Sequence, residues 1–209
     1  MKFSDGLKFL QEGLRQKQTV GAVWPSSPAL CAAMAAPVFR DRPQAPLRVL
    51  EVGAGLGPVS ELLLPQLKPG DVYDIVELNA TFCVHLRERF GPERVHECSI
   101  LDWDSAPYDR IVSGLPLANF PAQMVEQIYR KLFNLLAPDG TFVMFEYLVL
   151  RQALAVATLG AERTRVRRIL EIEGRLLPLQ REQFEILGNV PPARVRVRGR
   201  PENVEAFML

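Results

Sequence analysis

The chain has 209 residues, 48% of them hydrophobic and 23% charged, with 25 lysines and arginines against 24 aspartates and glutamates. That balance predicts a globular protein able to bury a full core, and excludes a disordered or collagenous chain and a polycationic nucleic-acid binder. Three widely spaced cysteines (Cys31, Cys83, Cys98) form neither a disulfide framework nor a metal knuckle, and no apolar run reaches the ~18 residues of a membrane-spanning helix.

Asp5 and Glu12 interrupt the N-terminus, which therefore does not read as a signal peptide; with the cysteine usage this predicts a reducing, cytoplasmic setting. Phe3, Leu7, Leu10 and Leu14 recur at helical spacing, and basic residues outnumber acidic ones around them. Such a helix either packs on the domain or lies in an anionic membrane surface with its stripe in the acyl boundary. A turn-rich stretch, Gly21 to Pro28, leads into the apolar run Ala29 to Ala36, with Ser26 or Ser27 as N-cap and Pro28 in the first turn.

From Leu47 the pattern becomes regular. Strands are predicted over Leu47–Val52, Val72–Glu77, Val95–Cys98, Tyr108–Ser113 and Thr141–Tyr147, and helices over Val59–Leu67, Ala80–Phe90 and Ala122–Leu136. Strands alternating with helices of this length mean a parallel sheet with helices on both faces. The tail breaks the alternation: a long helix, Arg151 to Glu173, precedes strands Phe184–Leu187 and Ala193–Arg198. The expectation is one α/β domain over residues 1–209, with residues 1–28 as an N-terminal helical extension.

Glu51-Val-Gly-Ala-Gly-Leu-Gly-Pro58 stands at the tip of the first strand. Gly53, Ala54 and Gly55 form a turn in which a backbone can approach a ligand, and Glu77 ends the second strand twenty-four residues after Gly53, placed to accept ribose hydroxyls. Leu78 follows it on the same rim. A dinucleotide fingerprint would want its third glycine at position 58, where this chain has proline. Glu51 decides further: beside a pyrophosphate a carboxylate repels, whereas beside the cationic S-adenosylmethionine it attracts. The cofactor expected is therefore S-adenosylmethionine, leaving as S-adenosylhomocysteine. Its adenine is expected past the third strand, where Ser99, Ile100 and Asp102 either wall the ring or are plain loop residues.

Five stretches appear in order: Gly21-Ala-Val-Trp-Pro-Ser-Ser27, Glu51-Val-Gly-Ala-Gly55, Val76-Glu-Leu-Asn79, Ser113-Gly-Leu-Pro-Leu-Ala-Asn-Phe-Pro121 and Asn189-Val-Pro-Pro-Ala-Arg194. Together they resemble the bacterial phospholipid N-methyltransferases, over about residues 18 to 198. The resemblance implies a Rossmann-like class I methyltransferase fold: a seven-stranded, mostly parallel sheet, helices on both faces, and a C-terminal antiparallel hairpin. It also implies methylation of phosphatidylethanolamine, through its mono- and dimethyl forms, toward phosphatidylcholine, by a peripheral enzyme on the inner face of the cell membrane. Where such enzymes often carry Gly-Asp-Ala after the third strand, this chain has Glu97-Cys98-Ser99.

Methyl transfer to an amine is an in-line displacement dominated by positioning and desolvation, and the amine must arrive neutral. Ser113 and Gly114 are candidates to offer backbone carbonyls near the methyl, and Tyr147 a phenolic oxygen. Trp24, Phe120 and Tyr147 are candidates to surround a cation with aromatic faces, with core packing as the alternative for Phe120. Asn119 either caps the following helix or joins the site, and Ser26 and Ser27 are counted on the substrate side with their motif. His85 and His96 read as structural and no metal site is expected. The arginines of 151–175 and of 194–200 either form solvated faces or hold lipid phosphates. An rRNA adenine dimethyltransferase shares the glycine loop, but Ser113-Gly-Leu-Pro-Leu117 lacks the amide and aromatic that such an enzyme needs, and no nucleic-acid partner is expected. A small-molecule amine methyltransferase is the other alternative.

Overall fold

The computed structural model describes residues 26–148 and 160–207. The predicted Phe3–Leu14 helix, Trp24 and residues 151–159 of the predicted 151–173 helix lie outside them. Elements follow in the order α1 (Pro28–Ala35), β1 (Arg48–Val52), α2 (Ser60–Leu63), β2 (Val72–Glu77), α3 (Ala80–Phe90), β3 (Val95–Glu97), β4 (Tyr108–Ser113), α4 (Ala122–Leu135), β5 (Leu136–Tyr147), α5 (Ala161–Arg175), β6 (Gln180–Ile186), β7 (Ala193–Arg198) and α6 (Val204–Phe207). The strands form one seven-stranded sheet in the order β3-β2-β1-β4-β5-β7-β6. Pairing from β3 to β5 is parallel, and β7 runs antiparallel to both β5 and β6. This is the mostly parallel sheet with a terminal hairpin that the resemblance implies.

After Arg48, β1 is apolar on both faces except at Glu51, because helices cover both sides of a parallel sheet. Val49, Ile75, Val112 and Val143 pack under α1, α2 and α3; Leu50, Val52, Ile111 and Phe142 pack under α4 and α5. Caps start the helices where the sequence places them: Ser27 Oγ accepts the Leu30 N–H at α1, and Asn79 Oδ1 accepts the Thr81 and Phe82 N–H groups at α3.

Several boundaries differ from expectation. The helix expected over 59–67 is one α turn continued by a 3₁₀ turn, Leu64–Gln66, where Pro65 cannot extend an α-helical ladder. β5 begins at Leu136, pairing with Tyr108, and the 137–140 stretch bulges before Thr141 resumes the register opposite Arg110. β6 begins at Gln180, four residues early. Its polar Gln-Arg-Glu-Gln start reads as loop, yet as the edge strand it needs only β7 as partner. Strand order reverses between β1 and β4, which opens a crevice at the carboxyl ends of the strands.

Candidate functional site

A cavity of about 330 Å³ occupies that crevice. One end is walled by the 51–59 loop, by Val76, Glu77 and Leu78 at the tip of β2, and by Cys98, Ser99 and Ile100 after β3. The loop after β4 (Gly114, Leu115, Pro116) forms its middle, Phe145 and Tyr147 of β5 close the other end, and Ser26 and Met34 from α1 and the residues before it complete the wall.

The glycine loop is held by backbone bonds to its neighbours: Gly53 N–H donates to Val76 O (2.9 Å) and Gly114 N–H to Val52 O (2.8 Å). Gly53 has φ +70°, and a Cβ there would stand 2.8 Å from Leu115 Cδ2; a Cβ on Gly114 would stand 2.5 Å from Gly53 O. The two loops therefore meet backbone to backbone, which only glycine permits. Glu77 ties the rim together. Its Oε1 accepts from Leu78 and Asn79 N–H (2.8 and 2.9 Å), and its Oε2 from Gly55 N–H (3.0 Å). A carboxylate offers about four acceptor positions, so one remains on Oε2 and the expectation of two ribose hydroxyls on Glu77 narrows to one. Burial pushes the Glu77 carboxyl above the usual range against the pull of those three N–H groups.

Glu51 is buried beside it. Its Oε2 accepts from Ser60 Oγ–H (2.5 Å) and from the Tyr73 hydroxyl. Burial raises its carboxyl, the Ser60 and Tyr73 bonds oppose that, and the Glu77 charge adds to it. Two hydroxyl donors on one oxygen leave Oε1 for a ligand, so a cationic group in the cavity would meet two closely set carboxylates. Gly55, whose missing side chain faces open space, leaves room above them. A nucleoside with a cationic tail fits this end on three counts: acceptors for a hydroxyl and a cation, a backbone cradle free of side chains, and an apolar slot beside Val76 and Ile100.

The structure brings together Glu51, Gly53, Ala54, Gly55, Glu77, Leu78, Ser99, Ile100 and Gly114 on the walls of this cavity, with Tyr147 at its far end and Ser26 completing the wall. Others fall elsewhere. Ser113 lies under the wall, its Oγ accepting the Leu115 N–H (3.4 Å). Phe120 is 1% exposed and packs in the core beneath α4, so it forms no part of an aromatic cage. Asn119 is the exposed last residue of a 3₁₀ turn and caps nothing, since α4 begins at Ala122 after Pro121 without a side-chain cap. Ser27 caps α1 rather than facing the cavity, and Asp102 is exposed outside it.

Several cavity residues escape the sequence reading, Phe82, Leu115, Phe145 and Met34 among them. Phe145 lies two positions before Tyr147 on the same face of β5, the rings meeting edge to face at 5.2 Å, and strand alternation was the available signal. Met34 arrives from α1, on which nothing local marks it. The Tyr147 phenol is raised by burial, so it stays neutral at physiological pH.

The arginines of β7 do share one face, which is buried at Arg196 and Arg198 and partly exposed at Arg194. Arg198 donates to Glu173 Oε2 (2.5 Å), Arg196 to Glu146 Oε1 (2.9 and 2.7 Å) and Arg194 to Glu185 (2.5 Å). The buried guanidinium groups of Arg196 and Arg198 need partners and have carboxylates, and the partly exposed Arg194 is paired as well, so the phosphate-holding reading does not apply to them. Arg165 on α5 donates to Ala118 O (2.7 Å) and Phe120 O (3.1 Å), fastening that helix to the loop after β4. His96 is bonded to Asp74 (2.8 Å). Among the described residues no three His, Cys, Asp or Glu side chains stand together as metal ligands.

No protein-family model matches the chain. It is 30% identical, over 149 residues, to an ornithine lipid N-methyltransferase of Singulisphaera acidiphila; the match covers 66% of this chain and 76% of that relative. Among solved structures it is similar to a 1,6-didemethyltoxoflavin-N1-methyltransferase of Burkholderia thailandensis with bound S-adenosylhomocysteine (TM-score 0.65, 16% identity, 96% of this chain and 92% of that one). It is also similar to an O-methyltransferase of Bacillus cereus in complex with S-adenosylhomocysteine (TM-score 0.62, 17% identity, 92% and 91%).

Proposed function

The chain belongs to the family of that ornithine lipid N-methyltransferase and has the class I methyltransferase fold, and from this premise we propose that it methylates the amine of a membrane lipid headgroup. Phosphatidylethanolamine and its mono- and dimethyl forms are the substrates, and the enzyme works from the cytoplasmic side as a peripheral protein. The supporting observation is the polarity of the cavity: two carboxylates and a backbone cradle at one end, aromatic and thioether side chains at the other.

S-adenosylmethionine, when bound, supplies an electrophilic methyl on a sulfonium. Glu77 accepts a ribose hydroxyl, the 53–55 backbone makes room for the tail, Glu51 balances positive charge, and Ser99 and Ile100 flank the adenine. At the acceptor end, Phe145, Met34 and Tyr147 replace water around the incoming nitrogen. An ammonium loses hydration there, which lowers its pKa from ~10 and favours the neutral, nucleophilic amine. Once methylated, the nitrogen is cationic again and gains from the aromatic faces, at ~0.5–2 kcal/mol each. Tyr147 accepts a hydrogen bond from an amine N–H and orients it. Being neutral with a raised pKa, it is not the base, so the proton leaves through water at the cavity mouth.

The family relative favours a second reading, in which ornithine lipid is the acceptor. The experiment supplies methyl-labelled S-adenosylmethionine with vesicles containing phosphatidylethanolamine or ornithine lipid and separates the extracted lipids. Label in methylated phosphatidylethanolamine supports the first reading, and label only in ornithine lipid the second. Label in neither, with cofactor binding confirmed, overturns both. An adenine acceptor gains nothing from the loop after β4: Ser113-Gly-Leu-Pro-Leu117 carries neither an amide nor an aromatic side chain.

A further inference from the structure

We propose that the tip of the β6–β7 hairpin, Leu187 to Val190, is a bilayer-contact element that seats the mouth of the cavity on a lipid surface. This rests on the reading of the acceptor as a membrane lipid, and it names the face through which that lipid arrives. Leu187 and Val190 are 69% and 59% exposed, the highest values for large apolar side chains among the described residues. Gly188 between them has open space on its Cβ side. Asn189, the polar side chain of the tip, points inward: it is 2% exposed, its Oδ1 accepts the Ser27 N–H (3.0 Å) and its Nδ2 donates to Pro191 O (2.6 Å). A water-facing turn shows its polar side chain and hides its apolar ones; this one does the reverse.

The bracing also places the tip. Ser27 follows Ser26 of the cavity wall, Leu148 N–H, next to the cavity residue Tyr147, donates to Pro192 O (2.8 Å), and Ala193 pairs with Tyr147 itself. The exposed pair therefore borders the acceptor end. Leu56, half-exposed, lines the cavity from the glycine loop.

Two side chains on a convex tip offer far less than the ~800 Å² per partner that a stable protein interface buries. They present no groove for a peptide either. A bilayer takes up single apolar side chains without needing a complementary surface, so a lipid surface is the occupant these observations favour. Contact of this kind is apolar and persists at high salt, unlike attraction to anionic headgroups.

The test is the full chain carrying Leu187→Gln and Val190→Gln, sedimented with vesicles of equal parts phosphatidylethanolamine and phosphatidylglycerol in high salt. Partitioning is expected to fall roughly 10-fold or more, with affinity for S-adenosylhomocysteine unchanged. Val84→Gln with Leu177→Gln, two further exposed apolar side chains that do not line the cavity, is expected to partition like the unmodified chain. Equal partitioning of the tip variant and the unmodified chain overturns the proposal, as does a changed oligomeric state with vesicle binding intact. If the unmodified chain methylates no lipid yet loses vesicle binding with the tip, the lipid-substrate reading fails and the contact stands. If it methylates lipid and the tip variant binds normally, the contact fails and the reading stands.

Discussion

At the glycine-loop end of the cavity the lining is the backbone of the 53–55 turn and two buried carboxylates, all within short stretches at the tips of β1 and β2. At the acceptor end it is side chains from α1 and β5, more than a hundred residues apart in sequence. The first end is rigid because every group in it is also a structural tie: Glu77 closes the loop it serves, and Glu51 anchors Ser60 and Tyr73. The second is made of surfaces that pack and leave few polar demands. A reaction common to a fold needs the first kind of construction, whereas substrate choice can vary with the second.

The strongest way to break this contrast is Glu77→Ala. Three backbone N–H groups would lose a charged acceptor, each bond being worth ~1.5–3 kcal/mol, so affinity for S-adenosylhomocysteine is expected to fall at least ~100-fold by calorimetry. Near-normal affinity would show that the loop does not depend on this carboxylate.

Glu51→Gln is expected to do less. The amide oxygen keeps the Ser60 and Tyr73 bonds while the charge goes, so affinity for the cationic cofactor should drop about 10-fold with the fold retained. The pH profile sharpens it. Both carboxyls are raised by burial, so in the unmodified protein cofactor affinity should start to fall, on acidification, above the ordinary carboxylate range. In the same window the ligand-free protein should behave oppositely. Its native state holds protons the unfolded chain has released, so its stability rises as pH falls toward the ordinary values, and is lost as pH rises through the native ones. Thermal melts with and without S-adenosylhomocysteine would converge on acidification; parallel curves would contradict the assignment of charge to these two residues.

The smallest effect belongs to the acceptor end. Tyr147→Phe removes one hydroxyl from an otherwise apolar wall, and kcat/KM for the lipid amine is expected to fall ~2–10-fold while cofactor affinity stays the same. A change in cofactor affinity instead would erase the division between the two ends.

How much of this was legible follows the same division. The 51–57 loop and Glu77 could be placed because a glycine turn after a strand, followed at a fixed distance by an acid at the next strand's tip, is a local pattern with a geometric meaning. Phe120 and Phe145 show the limit. Both are apolar aromatics near strand tips, yet one faces the core and the other the cavity, according to the side of the sheet on which the chain leaves it. The arginines at 194, 196 and 198 were correctly read as one face, but the sequence carries no sign that Glu146, Glu173 and Glu185 would meet them.

The sequence alone determined the alternation of strands and helices, the glycine loop, its two carboxylates and the chemistry they admit, because backbone conformation and period are local properties. The tertiary structure alone decided which side chains meet. It turned Asn189 inward and Leu187 and Val190 outward, buried Arg196 and Arg198 against carboxylates, and brought Met34 and Phe145 to the cavity wall. Those outcomes depend on contacts between residues far apart in the chain, and they are set by which face of the sheet each element covers.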